Sequence, residues 1–235
     1  MKLNGFVGKG SGKLGSSVFA ISGGEQIVRE YNPRVANPNT SAQVAQRAKM
    51  KLMSQFAAAL APGLAFKKIN LVSARNQFVS KNIGLCTYTD EKAEVEMTKL
   101  DLTGGSQAFN TLERGEVSAS AAEVVVQGDI ATDITKVVFV VVKHIDNDKI
   151  VVEDVSIEDI VAGTAPSVAV SLGQGETKMV YAYGYKPTAG SSSANYGDMS
   201  AHMNDDKSFV EVTMKNLLKS GTFTATSAVI VDLEP

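Results

Sequence analysis

Apolar positions follow two different rhythms along this chain. Over residues 41–61, Val44, Ala48, Leu52, Phe56 and Leu60 recur at every fourth position, with Arg47, Lys51 and Ser54 off the stripe. That spacing puts the apolar set on one face of an α-helix. Thr40, three residues before Gln43, has the spacing of a capping box and marks the helix start. Pro62-Gly63 marks its stop. A second, shorter helix is predicted over residues 73–82. Upstream, residues 16–22 (SSVFAIS) and 25–31 (EQIVREY) are strand-like runs around Gly23-Gly24. Two such runs joined by Gly-Gly read as a tight hairpin. Residues 5–15 form a glycine-rich arm with lysines. Residues 32–39 read as extended, because Pro33 and Pro38 bias the residues before them away from helix.

Past Gly84 the period shortens. Strand-like runs at 93–102, 116–127, 135–145, 149–156, 167–172, 178–185, 208–214 and 222–233 alternate with turn residues. Val137 to Val142 is continuously apolar, as expected of a strand buried on both faces. Asp146-Asn147-Asp148 is expected to turn it back. Regularly spaced short strands of this kind predict an antiparallel β-sandwich. Residues 187–201 have little to bury and read as a long loop. The expected fold class is α+β, with two domains: residues 1–83, holding the basic arm, hairpin and helices, and residues 84–235, the β-sandwich.

Composition sharpens this division. Of 235 residues, 44% are hydrophobic and 20% charged, enough for a buried core. The net charge of −2 conceals an asymmetry. Residues 1–83 carry 12 Lys/Arg and 2 Asp/Glu, whereas residues 84–235 carry 11 and 23. A bipolar subunit with complementary patches favours head-to-tail contact, which closes into rings or continues as filaments. The same basic set could alternatively meet nucleic-acid phosphates, although Phe19 and Tyr31 supply only thin aromatic interleaving. No apolar run approaches the roughly 18 residues of a membrane span. Met1 to Gly5 offers no signal-peptide core, so none is expected.

Candidate chemistry is sparse. Residues 10–15 match G-x-G-x-x-G, but a dinucleotide site needs that loop between a strand and a helix, and here it opens a hairpin. A P-loop is rejected because Val7 stands at the first glycine and Leu14 replaces Ser/Thr. His144 and His202 are the only histidines and Cys86 the only cysteine, so no N/S metal site is expected. Asp146-x-Asp148 lacks the glycine and terminal glutamate of a calcium loop. Cys86 has no local partner to lower its pKa and reads as an idle thiol. Asn39-Thr40-Ser41 is a sequon by pattern but reads as the helix start. No catalytic residue, cofactor or metal is expected, and the chain does not read as an enzyme.

The Gly/Lys-rich start, the short hairpin with Gly23-Gly24 at its turn, Val28-Arg29-Glu30-Tyr31 and the run Asn37-Pro38-Asn39-Thr40-Ser41-Ala42-Gln43-Val44-Ala45-Gln46-Arg47 together carry a resemblance. The chain resembles a family of Bacteroidales genomes, their prophages and crAss-like bacteriophages. That family reads G-K-x-G…V-R, then N-P-x-T-x-A-Q-x-x-Q-R opening a helix, then an immunoglobulin-like β domain. The resemblance covers about the first 60 residues and continues beyond them as texture. It implies a virion protein assembled in the bacterial host cytoplasm, present in many copies. The expected role is a ring-forming head-to-tail connector, associated with neck or portal. Capsid decoration, a tail-tube subunit, or a nucleic-acid module built on residues 1–83 are the alternatives. Expected partners are copies of itself, the portal or neighbouring neck and tail proteins, and passing DNA, with no membrane. The expected interface residues are Lys9, Lys13, Arg29, Tyr31, Arg34, Gln43, Arg47 and Lys51.

Overall fold

The computed structural model describes residues 11–22, 24–33, 39–67, 69, 72–118, 120–146, 149–188 and 201–233. The chain divides into two compact units, residues 1–43 and 44–235. The first holds an antiparallel meander of β1 (Gly12–Leu14), β2 (Ser17–Ser22) and β3 (Glu25–Glu30). β2 and β3 are the expected hairpin. β1 is an addition, formed where a glycine-rich arm was expected. Gly15 turns β1 into β2 with φ 59°, a left-handed conformation that favours glycine. Gly10, Gly23 and residues 34–38 of the expected extended arm lie outside the described residues.

The second unit combines helices with antiparallel sheets. Its central sheet runs β12 (Ala201–His202), β9 (Lys149–Asp159), β8 (Lys136–Asp146) and β11 (Lys178–Pro187). Both β13 (Gly221–Phe223) and β14 (Ser227–Val231) then pair with β11, at its two ends. A smaller sheet has the order β10 (Ser167–Ser171), β7 (Ala121–Val126), β6 (Leu112–Val117). A separate hairpin joins β4 (Cys86–Thr89) to β5 (Lys92–Val95).

Residues 137–142 explain the layering. Val137, Phe139 and Val141 face Val124, Val126, Val168 and Val170 of the small sheet. Val138, Val140 and Val142 face the other way, into a core shared with α1 (Ser41–Ala59), α2 (Ala74–Asn82) and α3 (Lys207–Ser220). All six are buried, as a two-sided strand requires. Leu52, Phe56, Phe78, Val210 and Leu217 supply the helical side of that second core. Tyr181 and Tyr183 are its large side chains, and their hydroxyls donate to Met97 O (2.9 Å) and Gly63 O (2.8 Å). Each buried phenol thereby keeps a hydrogen bond.

This shared core moves the expected division at 83/84. α1 from Val44 onward and α2 belong to the same compact unit as the strands, because their apolar faces close the central sheet. The helix expected over 41–61 ends at Ala59 and gives way to a 3-10 turn at Ala61–Gly63. The second begins at Ala74, capped by Ser73 Oγ, which accepts from Asn76 N at 3.2 Å.

Several expected strands differ. Residues 208–214 are helical, not extended. Asp206 caps that helix by accepting from Ser208 N (3.0 Å) and Phe209 N (3.1 Å), and Val210, Met214 and Leu217 form a buried stripe of helical period. β-branched residues in that stretch had suggested a strand, and tertiary packing overrides them. Residues 93–102 yield only β5, followed by a 3-10 turn at Met97–Lys99. The runs at 116–127 and 222–233 each split in two. β4 was not foreseen, because its turn uses Asp90 (φ 50°) and Glu91 (φ 62°) where glycine would have announced it. β8 and β9 pair down to Asp146 and Lys149. Residues 147 and 148, and 189–200 of the expected long loop, lie outside the described residues.

Candidate interaction surface

Strand register sorts the expected interface residues by face. Directly paired residues share a face of a sheet. Lys13 pairs with Val18, and Val18 with Arg29, giving one row across all three strands of the first unit. Ala20 and Ile27 continue that face. Lys13 Nζ sits 3.6 Å from the centroid of the Tyr31 ring, which joins Tyr31 to the same side. A cation over an exposed aromatic face contributes about 0.5–1 kcal/mol. The opposite face carries Leu14, Phe19, Ile21 and Val28, by the rows Leu14–Ser17–Glu30 and Gly12–Phe19–Val28. Leu14 is 72% exposed, Ile21 48%, Ile27 45% and Tyr31 39%. Both faces of this small sheet thus hold apolar side chains open to solvent.

Gln43, Arg47 and Lys51 follow one another at four-residue spacing along α1, on one ridge. Arg47 and Lys51 are exposed and Gln43 is half-buried. The helix start is as expected: Thr40 Oγ1 accepts from Gln43 N at 3.4 Å. The apolar stripe divides in two. Leu52, Phe56 and Leu60 are buried, whereas Val44 is exposed and Ala48 half-buried. The structure therefore brings Lys13, Arg29 and Tyr31 together on a sheet and Gln43, Arg47 and Lys51 together on a helix. Lys9 and Arg34 lie outside the described residues.

Two polar clusters escaped the sequence reading. In the first, the His202 ring lies between two carboxylates, with Nδ1 3.0 Å from Asp154 Oδ2 and Nε2 3.3 Å from Glu158 Oε1. Ser156 Oγ donates to Glu158 Oε1 at 2.7 Å, and Asn204 N donates to Asp154 Oδ1 at 3.2 Å. Hydrogen bonding to Asp154 raises the His202 pKa; partial burial opposes this, and the charges of Asp154, Glu158 and Asp205 add to the rise. Ser156 gives its proton to a carboxylate and not to the imidazole, so its hydroxyl is not activated as a nucleophile. The cluster is an ionic clamp between β9 and β12. Polar Asp154, Ser156 and Glu158 alternate along β9, a signal the sequence does contain.

The second cluster centres on Asp101. Its Oδ1 accepts from Thr226 Oγ1 (2.8 Å) and Thr103 N (3.1 Å), and its Oδ2 pairs with Lys81 Nζ at 2.6 Å. Lys81 Nζ also donates to the carbonyls of Thr103 and Gly105. Asn82 Oδ1 accepts from Asp101 N at 2.8 Å, so α2 is fastened to the segment that follows β5. Lys81 borders a hollow of about 670 Å³ whose apolar lining includes Phe66, Ile69, Val72 and Phe223.

Cys86 is buried, and burial pushes its thiol pKa up against the weaker opposing charge of Lys49. It stays a thiol at neutral pH, a poor nucleophile. His144 is exposed on β8 and borders a small hollow with Met97, Met179 and Ile230. Among the described residues no group of three or more His, Cys, Asp or Glu is placed to hold a metal, and no helix is long and apolar enough to cross a membrane. No protein-family model, no curated protein and no solved structure matches the chain.

Proposed function

We propose that this chain is a structural protein of a bacteriophage virion, a ring-forming component of the head-to-tail connector that assembles with copies of itself through residues 1–43. The observation that carries the reading is the three-stranded sheet of the first unit. Its apolar residues lie on both faces, Leu14, Ile21, Ile27 and Tyr31 are open to solvent, and Lys13 and Arg29 stand among them. A lone three-stranded sheet with two such faces gains stability when a partner covers it. The G-K-x-G and N-P-x-T-x-A-Q-x-x-Q-R resemblance supplies the virion context. Its further partners are the portal and adjoining neck proteins, and it acts as a scaffold, not as an enzyme.

The facing sheets of the second unit are inferred to form an immunoglobulin-type sandwich. In chain order, the first, second and fifth strands (β6, β7, β10) form one sheet. The fourth, third, sixth and seventh (β9, β8, β11, β14) form the other. Strands that switch sheets in this Greek-key manner support the assignment. β12, α3 and β13 are then an insertion before the last strand.

Sedimentation velocity on the full chain and on a variant lacking residues 1–40 tests the role of the first unit. The full chain is expected to sediment as a multi-copy species. The truncated chain, which keeps α1 and both cores, is expected to be folded and monomeric. A truncated chain that assembles like the full one overturns the reading.

A further inference from the structure

The outward face of the small sheet complements the basic face of the first unit. On β7, Ala122, Val124 and Val126 point into the core, so Ala121, Glu123 and Val125 point out. Register extends the outer face to both neighbours: Glu113 and Ser167 flank Val125, and Ala169 flanks Glu123. Gly115 on β6 keeps the surface flat beside them, since a Cβ there would come within 2.9 Å of Val125 Cγ2. The bulge between Arg114 and Val117 sets Gly115 and Glu116 opposite Glu123, so Glu116 joins Glu113 and Glu123 on a sheet face whose other side chains are small or aliphatic. Neither Glu113 nor Glu123 has an ion-pair partner among the described residues. The opposing surface has the matching character: Lys13 and Arg29 in one row, with Val18, Ala20 and Ile27 around them and Glu25 set apart at the Ser22 end of the sheet.

We propose that the Lys13/Arg29 face of one copy docks on the Glu113/Glu123 face of a second copy, sheet against sheet. This rests on the self-assembly reading above and names its receiving surface. Twisted sheets stack about 10 Å apart with interleaved side chains, and Ala20, Ala121, Ala169 and Gly115 permit that approach. The two surfaces lie on different units, so a copy docked through one keeps the other open for a further copy, and the proposed contact propagates head to tail. Charge fixes orientation while Val18, Ile27 and Val125 supply apolar burial.

Two charge-reversed variants test it. One carries Lys13→Glu and Arg29→Glu, the other Glu113→Lys and Glu123→Lys. Each alone places like charges across the contact and is expected to assemble about tenfold more weakly, or worse, than wild type. Mixed in equal amounts, the two restore opposite charges at every contact, and the large species is expected to return. Docking within one chain cannot be rescued by mixing. Either variant assembling like wild type, or a mixture that stays dissociated, overturns the proposal. A second measurement keeps the test independent of the variants' folding. Wild-type protein assembled from isotopically labelled and unlabelled copies is treated with a carbodiimide. Cross-links from Lys13 to Glu113 or Glu123 that join the two isotopes are expected; their absence contradicts the proposal. If wild-type protein is monomeric throughout, the self-assembly reading fails and takes this one with it. If wild type assembles and residues 1–40 are needed, yet these residues do not meet, only the receiving surface is wrong.

Discussion

Gly63 and Val140 show how closely single residues are fitted at the turn after α1. A Cβ added to Gly63 would stand 2.6 Å from Val140 Cγ2. Gly63→Ala is expected to destabilise the fold by about 1–3 kcal/mol through overpacking. Val140→Ala opens a cavity and costs stability too, but the double variant is expected to lose less than the sum, since each change relieves the other. Denaturant unfolding of the three variants checks this, and strict additivity contradicts the contact. Asp101 is the second test at this scale. Removing its carboxylate in Asp101→Ala leaves Lys81 only the Thr103 and Gly105 carbonyls and leaves Thr103 N and Thr226 Oγ1 without this acceptor. A loss of about 2–4 kcal/mol is expected; a change under about 0.5 kcal/mol means that water replaces the carboxylate freely. Residues of this kind differ in how visible they are beforehand. The two-sided burial of Val137 to Val142 is legible in a run of six apolar residues. Asp101 is not, because only Thr103 is near it in the chain, while Lys81 lies well before it and Thr226 more than a hundred residues after it.

Among the elements, α1 was legible because a four-residue stripe and the Thr40 cap speak locally, and α2 forms within the residues 73–82 expected of it. α3 was misread, since the β-branched Val210, Val212 and Thr213 resemble a strand. Its deciding features, the Asp206 cap and burial of Met214 and Leu217, depend on where the segment lands. The His202 clamp that precedes α3 gives this scale its prediction. The folded-state pKa of His202 is raised above 6.5. The clamp therefore contributes stability that is fully present below pH 6.5 and is lost as pH rises through the higher folded value. The stability difference between wild type and His202→Gln is expected to be largest near pH 6 and to shrink toward pH 9. Asp154, Glu158 and Asp205 are common to both proteins, so their own titration largely cancels. A difference that grows toward alkaline pH contradicts the clamp. The ring's NMR titration should show the same raised midpoint.

For the whole molecule, the charge division changes meaning once the units are known. Residues 1–43 hold five Lys/Arg and two Asp/Glu, and residues 44–83 hold seven Lys/Arg with no acidic residue. Most of the positive charge read from the first 83 residues therefore sits on α1, α2 and the segment between them, inside the same compact unit as the acidic strands. Composition reveals the asymmetry, but only packing assigns it to a body. With the acidic strands built into that unit, long DNA meets repulsion as well as attraction, and no mobility shift of random DNA is expected from the full chain at about 50 mM salt. A shift that weakens linearly on a log–log salt plot contradicts this. If charge steers docking, salt slows assembly more than it dissolves assembled material, because screening acts on encounter over a Debye length of about 8–10 Å. The central claim, that this chain builds a closed assembly from its own copies, is tested most directly by electron microscopy of the purified full-length protein. The account predicts ring-shaped particles of uniform diameter, lost when residues 1–40 are removed. A field of single, separate molecules at every protein concentration contradicts it.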